Sequence, residues 1–298
     1  MTTLVTGLSG FVGSHCAEQF PSSDLLLDGR PVDLRDGERV RAAVDAIRPE
    51  WVIHLAAQSF IPAAFANPME TQSVNFLGTL NLLLALRDTG FKGRMLFVGS
   101  GDVYGAVPEH ELPLLESRLP KPRNPYAVSK VAAEALCYQW SQTEPFEIVV
   151  ARPFNHIGPR QGTQFAVADF ACQISDVRKG LRDAKLNVGD IDATRDFCDV
   201  RDIVRAYRQL LEHGVNGETY NVCSGVERSL RSIIETLATL AGMSVELVTD
   251  PARMRPSEQR RVVGSFDKLH HQTGWQPAIS FEQTLRDILD YWDQRELP

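Results

Sequence analysis

Tyr126 and Lys130 stand four positions apart, a phenol and an ammonium within a stretch whose pattern predicts a helix. Residues at i and i+4 share a helix face with Cβ atoms about 5 to 6 Å apart, so the Lys130 charge falls beside the Tyr126 ring. A hydroxyl at Ser100 lies upstream, and Gly7, Gly10 and Gly13 recur at three-residue steps near the N-terminus. Together these groups suit proton transfer to or from a carbonyl oxygen beside a nicotinamide. An unperturbed phenol has a pKa near about 10, and a neighbouring cation that stabilises the phenolate lowers it. At about 4 Å and an effective dielectric near 20, two unit charges interact by roughly 4 kcal/mol, so Lys130 is expected to tune Tyr126 electrostatically.

Those side chains need a scaffold. Short apolar runs alternate with helical patterns through the first half of the chain, the signal of βαβ units and a parallel sheet. The expected strands are residues 3–6, 24–28, 51–55, 94–99 and 147–151, with crossover helices at 38–47, 74–86 and 127–140. This predicts an α/β fold, a Rossmann-type parallel sheet with helices on both faces. Residues 1–160 read as the dinucleotide-binding domain. Residues 161–298, where the alternation decays into Gly- and Pro-containing stretches, read as a smaller substrate-binding region with some segments interleaved into the first. The segment 74–86 is apolar nearly all round, which calls for burial on more than one face. Either it joins 127–140 in a homodimer interface, or the two are layers of one subunit's core.

Gly7, Gly10 and Gly13 follow the first strand and precede a helix beginning near Phe11 and Val12. Such a turn lets the backbone approach a pyrophosphate while the helix N-terminus faces it, although a glycine-rich packing turn has the same spelling. Asp28, at the end of the expected second strand, would accept from a ribose hydroxyl, whereas Arg30 would pair with a 2′-phosphate or lie in a solvated turn. The two pull in opposite directions, so NADPH and NADH both stay open.

The chain has 298 residues, 43% of them apolar and 23% charged, with net charge −7. Lacking a basic excess, it is not expected to bind nucleic acid or an anionic membrane as its main partner. The five cysteines are odd in number and form no paired motif, which argues against a disulfide framework or a structural metal site. No apolar run reaches membrane-spanning length and no leader pattern opens the chain, so a cytoplasmic protein is expected.

The order glycine turn, Ser100, then Tyr126 and Lys130 resembles the short-chain dehydrogenase/reductase superfamily. HLAAQ (His54 to Gln58), NFLGT (from Asn75), VYG (from Val103) and RPFNHIGP (Arg152 to Pro159) resemble its extended branch, which acts on nucleotide sugars. RPFNHIGP, with TRDFCDVRD (from Thr194) and RPSEQRR (from Arg255), is similar to enzymes of GDP-mannose metabolism, over essentially the whole length. The resemblance implies that Tyr126 donates the proton, that Ser100 orients the substrate carbonyl, and that Lys130 also holds a ribose. It places Asp33 and Leu34 at the adenine, and Leu55, Ala56, Ala57, Asn75 and Pro153 against the cofactor. It puts Asp102, Val103 and Asn155 near the sugar, Arg195 at the diphosphate, and Arg255 with Glu258 at the guanosine of a GDP-sugar. Arginine's planar, permanently charged fork suits a diphosphate, although each arginine alone could equally make a surface ion pair.

Dehydratases of that group carry a glutamate where this chain has Asp102. The shorter carboxylate reaches a C5 proton badly, and the segment after the second strand is truncated. Both departures favour NAD(P)H-dependent reduction of the C4 ketone of GDP-4-dehydro-6-deoxy-D-mannose, giving GDP-D-rhamnose. The alternatives are 4,6-dehydration, C4 epimerisation, or a non-catalytic dinucleotide-binding protein, with Asp102 open as a plain turn residue.

Overall fold

A computed structural model describes residues 2–251 and 259–295. β1 (Thr3–Thr6) leads into α1 (Phe11–Gln19), β2 (Ser22–Ser23) and a hairpin of β3 (Leu26–Leu27) and β4 (Arg30–Pro31). There follow α2 (Gly37–Ile47), β5 (Trp51–His54), α3 (Ile61–Ala66), α4 (Pro68–Gln72), a π-helical turn at Ser73–Leu77 and α5 (Gly78–Asp88). β6 (Arg94–Val98), a 3-10 turn at Gly101–Tyr104, α6 (Pro125–Thr143) and β7 (Glu147–Pro153) close the first half. The second half runs β8 (Asn155–Ile157), α7 (Ala166–Arg178), β9 (Lys185–Val188), β10 (Thr194–Asp199), α8 (Val200–His213) and β11 (Thr219–Val222). It ends with β12 (Glu227–Ser229), α9 (Leu230–Ala241), β13 (Glu246–Thr249), α10 (Asp267–Thr273) and α11 (Phe281–Asp293).

The central sheet has six strands in the order β11-β7-β6-β5-β1-β2, and every pairing is parallel. Parallel strands are covered on both faces, which is why β1, β5 and β6 read as short unbroken runs rather than alternating ones. One face packs Val40, Leu82, Leu83, Leu86, Ala133 and Cys137 from α2, α5 and α6. The other packs Cys16, Ile203, Tyr207, Leu210 and Leu269 from α1, α8 and α10. A third core gathers Phe170, Ile174, Ile233, Leu237, Leu285 and Ile288 from α7, α9 and α11.

The segment 200–222 contributes α8 and the edge strand β11 to the dinucleotide-binding sheet, although it lies far past residue 160 in sequence. Beside that sheet, β8 pairs with β10 and β10 with β12, bringing the second half up against the end of β7.

Three sequence expectations change. The second parallel strand is the two-residue β2, not 24–28. Leu26–Leu27 turns back on Arg30–Pro31 instead, because Asp28 and Gly29 both take positive φ, 52° and 72°, the pair of values a tight two-residue hairpin turn requires. Asp28 is therefore an exposed turn residue five positions past the strand end, and the placement that aimed it at a ribose fails. The helix expected at 74–86 opens with a π turn before becoming α5 at Gly78. The inner sides of α5 and α6 share one core, so Leu82, Leu83, Leu86 and Cys137 serve this subunit's own packing.

Candidate active site

The glycine turn fits a dinucleotide by what it leaves empty. A Cβ on Gly13 would lie 2.2 Å from the Gly7 carbonyl oxygen, so no larger residue lets α1 come this close to the end of β1. The N-cap of α1 is Gly10, whose lack of a side chain leaves the first-turn amides uncapped and directed outward with the positive end of the helix dipole. Phe11 and Val12 are half-buried on that first turn, and Leu55, Ala56 and Ala57 lie half-buried just beyond β5. These residues fit a pyrophosphate and its riboses.

The loop after β5 is set from below. Thr6 Oγ1 accepts from the Ala56 amide at 3.2 Å and meets His54 Nδ1 at 2.7 Å, and His54 Nε2 meets Thr79 Oγ1 at 2.9 Å. Thr79 donates its own proton to the Asn75 carbonyl at 2.6 Å. That direction assigns His54 as the Nε2–H tautomer, accepting from Thr6 at Nδ1. Burial, helped by the Lys130 charge, drives the His54 pKa down to about 3, so the ring stays neutral.

Other cofactor candidates split. Asp33 is exposed and bonded to Arg35, whose Nε donates to its Oδ1 at 2.9 Å. Leu34 is buried in the core beneath Gly78. Arg30 is exposed at the foot of the hairpin. Pro153 is buried at the end of β7, and Asn155 is exposed at the start of β8.

The proton-handling groups converge at the ends of β6 and α6. Asn124 caps α6 by accepting from the Ala127 amide at 2.7 Å, and Pro125 occupies the first turn, which fixes where Tyr126 emerges. Ser100 caps the 3-10 turn, its Oγ accepting from the Asp102 amide at 3.1 Å, and its hydroxyl stands near enough to Tyr126 to favour the phenolate. Burial raises the Tyr126 pKa above the phenol range, with the Asp102 and Glu134 charges adding and the neighbouring Ser100 hydroxyl opposing.

Burial thus sets the net direction of the Tyr126 shift, upward where the spacing from Lys130 alone led to the opposite expectation. Lys130 Nζ donates to the Val98 carbonyl at 2.7 Å and lies 5.8 Å from the Tyr126 ring centroid. Its own pKa falls to about 8 through burial, with Glu134 as the main opposing charge. Tyr126 is accordingly a protonated phenol at neutral pH, a donor rather than a base.

Asp102 is exposed to solvent at the start of the 3-10 turn. Crowding by protein lifts its carboxyl above the usual carboxylate range, while the Arg195 charge and the nearby Asn124 side chain pull it back. It faces Tyr126 and Arg195 as well as forming a turn. Val103 is different: fully buried, it packs with Tyr104 and Phe154, so its side chain belongs to the core and not to a substrate surface. Arg195 rises from β10 opposite Arg228 of β12, largely shielded, with Asp102 and Asp190 balancing its charge. Arg255 and Glu258 fall outside the described residues.

Sequence reasoning passed over Asn124, Glu134 and Arg152. Asn124-Pro125 directly before Tyr126 is the spelling of a helix start, and Glu134 sits four residues beyond Lys130, so both signals were present. A wide concavity lined by Glu116, Thr219, Lys268 and His271 lies along the outer edge of β11; it holds none of the proton-handling groups, and chemistry rather than volume places the site.

Comparison with known proteins gives the same frame. The family model described as GDP-mannose 4,6 dehydratase matches residues 27–288. The chain is 50% identical to the GDP-6-deoxy-D-mannose reductase of Pseudomonas aeruginosa, over 98% of this chain and 97% of that protein. A structure of RMD from Pseudomonas aeruginosa complexed with NADPH superposes with a TM-score of 0.93 at 48% identity, covering 99% of each chain. The UDP-glucose 4-epimerase of Thermus thermophilus, in complex with NAD, superposes with a TM-score of 0.85 at 33% identity, again over 99% of each.

Proposed function

The chain belongs to the GDP-mannose 4,6-dehydratase family of extended short-chain dehydrogenases/reductases, and from that premise we propose that it reduces the C4 ketone of GDP-4-dehydro-6-deoxy-D-mannose to GDP-D-rhamnose. The observation that carries the reading is Tyr126: a half-buried phenol, kept protonated by its surroundings, with Ser100 beside it, in a subunit whose glycine turn is shaped for a dinucleotide. NADPH or NADH, when bound, supplies the two electrons as hydride at the sugar C4. The chain's residues do the rest.

Ser100 and Tyr126 bracket the carbonyl oxygen, and the Tyr126 proton passes to that oxygen as negative charge develops on it. Lys130, cationic below about pH 8, supplies a positive field beside the phenolate left behind. Arg195 takes the diphosphate and Asn155 the sugar, from the second-half strands that meet the end of β7. Asp102 confronts the sugar with a carboxylate too short to serve as the C5 base of a dehydratase, and Arg195 opposes the burial that raises its carboxyl. Adding the 4-keto sugar nucleotide with NADPH or NADH, and following the absorbance of the reduced cofactor, tests this. No consumption with either overturns it. Cofactor that stays bound through purification and is recycled without net consumption favours dehydration or epimerisation instead.

The chain is inferred to act as a homodimer. Leu77, Val128 and Tyr138 stand exposed on the outer sides of the π turn and α6, and Tyr138 is 58% exposed, an apolar face that a second copy would cover. Among the described residues no helix is long and apolar enough to cross a membrane. All five cysteines are free and buried, in keeping with a reducing cytoplasmic setting.

A further inference from the structure

The stripe that carries Tyr126 and Lys130 continues one more turn along α6 to Glu134, a carboxylate only 7% exposed inside the subunit. We propose that Glu134 is a positioning residue for the proton-transfer site, its carboxylate holding the Lys130 ammonium cationic and seated against the Val98 carbonyl. The inference rests on the reductase reading of Tyr126 and Lys130 and adds to it the group on which their electrostatics depend.

The carboxylate is built in, not incidental. Arg152 on β7 reaches it with Nε at 3.2 and 3.1 Å from its two oxygens and with Nη2 at 2.7 Å. Arg152 Nη1 then donates to the Tyr104 hydroxyl at 3.0 Å, and that hydroxyl donates to Asn221 Oδ1 at 2.6 Å. Space for the carboxylate comes from Gly99, where a Cβ would lie 2.3 Å from Glu134 Oε1. Gly99 adjoins Val98, the residue whose carbonyl receives Lys130. One strand end therefore both seats the ammonium and makes room for its counter-charge.

Packing alone does not account for such an arrangement. A buried ion pair costs desolvation that an apolar pair of similar volume avoids, so its retention calls for a use of the charge. The groups facing Lys130 are Tyr126, Glu134 and Cys137 on its own helix and neutral His54 on β5. β6 offers the Phe97 ring and the Val98 carbonyl, and Arg152 on β7 stands behind Glu134. The Asp102 charge acts on Tyr126 and is not among the charges that act on Lys130. Among these, Glu134 is the carboxylate nearest Lys130 along the helix. Without it, Lys130 and Arg152 would both be buried cations deprived of their shared counter-charge, and only lysine can relieve that by losing a proton, because arginine does not.

The test uses the full chain with the 4-keto sugar nucleotide and NADPH across about pH 6 to 10, for wild type, Glu134→Gln, Glu134→Asp and Glu134→Gln/Arg152→Met. A parallel NMR titration of the lysine Cε signals, assigned with Lys130→Arg, reads Lys130 without turnover. In Glu134→Gln the alkaline fall in kcat/KM and the Lys130 titration should both move down by about one pH unit or more, roughly tenfold in rate at a fixed alkaline pH. Glu134→Asp should stay near wild type. The double variant, with both buried charges gone, should fall between.

A uniform loss of kcat with an unmoved pH profile and an unmoved Lys130 titration would overturn the proposal. If Glu134→Gln does not fold, the double variant decides: Lys130 titrating as in wild type refutes the assignment. A wild type inert toward the sugar nucleotide sinks the reductase reading, while the NMR titration still judges Glu134 separately.

Discussion

Asn75 Nδ2 donates to Ser129 Oγ across 2.9 Å, joining the π turn to the helix that carries Tyr126. The same amide group donates to the Gln58 carbonyl at 3.0 Å, and Asn75 Oδ1 accepts from the Gln58 amide at 2.7 Å. Ser129 Oγ in turn donates to the carbonyl of Tyr126 itself at 2.7 Å. A π turn inserts one residue into the helical repeat and swings a side chain to a direction that a regular helix would not offer. Here that side chain fixes the cofactor loop and the catalytic helix to each other.

Asn75→Ala should therefore damage both stability and chemistry. It removes one buried and two part-buried hydrogen bonds and strands the Gln58 backbone groups, for a loss of about 3 kcal/mol in denaturant unfolding. kcat/KM should drop as well, because the loop and Tyr126 lose their common anchor. A variant with wild-type unfolding free energy would contradict this account.

Tyr126→Phe keeps the ring and deletes the proton. kcat should fall by about 100-fold or more in steady-state turnover, with KM for the sugar nucleotide little changed. A variant at full rate would mean that the proton comes from elsewhere.

Arg195→Gln removes a charged fork from the proposed diphosphate contact and should raise KM by about 10- to 100-fold. It also removes the cation that holds Asp102 down, so the Asp102 carboxyl, already above the usual range, should titrate at still higher pH. Substrate titrations and a pH series on the same variant check both halves of the prediction.

His54 governs behaviour in acid. Its pKa falls on folding from the ordinary 6.5 to about 3, so the unfolded chain takes up the proton first. The stabilising contribution of the neutral ring is intact above pH 6.5. It is lost as pH drops toward 3, by about 1.4 kcal/mol per pH unit. Denaturation midpoints at pH 7 and pH 5 should separate widely for wild type and less for His54→Gln, although the latter starts less stable. Equal pH dependence in the two would rule out His54 as the source.

Much of the fold was legible because parallel strands announce themselves locally: residues 3–6, 51–55, 94–99 and 147–151 are short, apolar and spaced by helical patterns. The error at 24–28 came from the same rule. Leu25, Leu26 and Leu27 spell a strand, but Asp28-Gly29 spells the turn that folds it back, and the turn prevailed. In the site, Ser100, Tyr126 and Lys130 were readable because order and spacing along the chain encode them. Asn124, Glu134 and Arg152 act through contacts between elements, and Glu134 meets Arg152 only once α6 has packed over β7. The direction of the Tyr126 shift depended on burial, which spacing does not report.

The sixth strand has a consequence for synthesis. Thr219–Val222 docks on Glu147–Pro153, so while the chain is still emerging from the ribosome the nucleotide-binding half carries a raw β edge until some 65 more residues have been translated. Chimaeras cut near residue 160 would inherit that open edge permanently. Swaps between relatives should instead transplant segments around residues 200–222, leaving α8 and its strand with their original host.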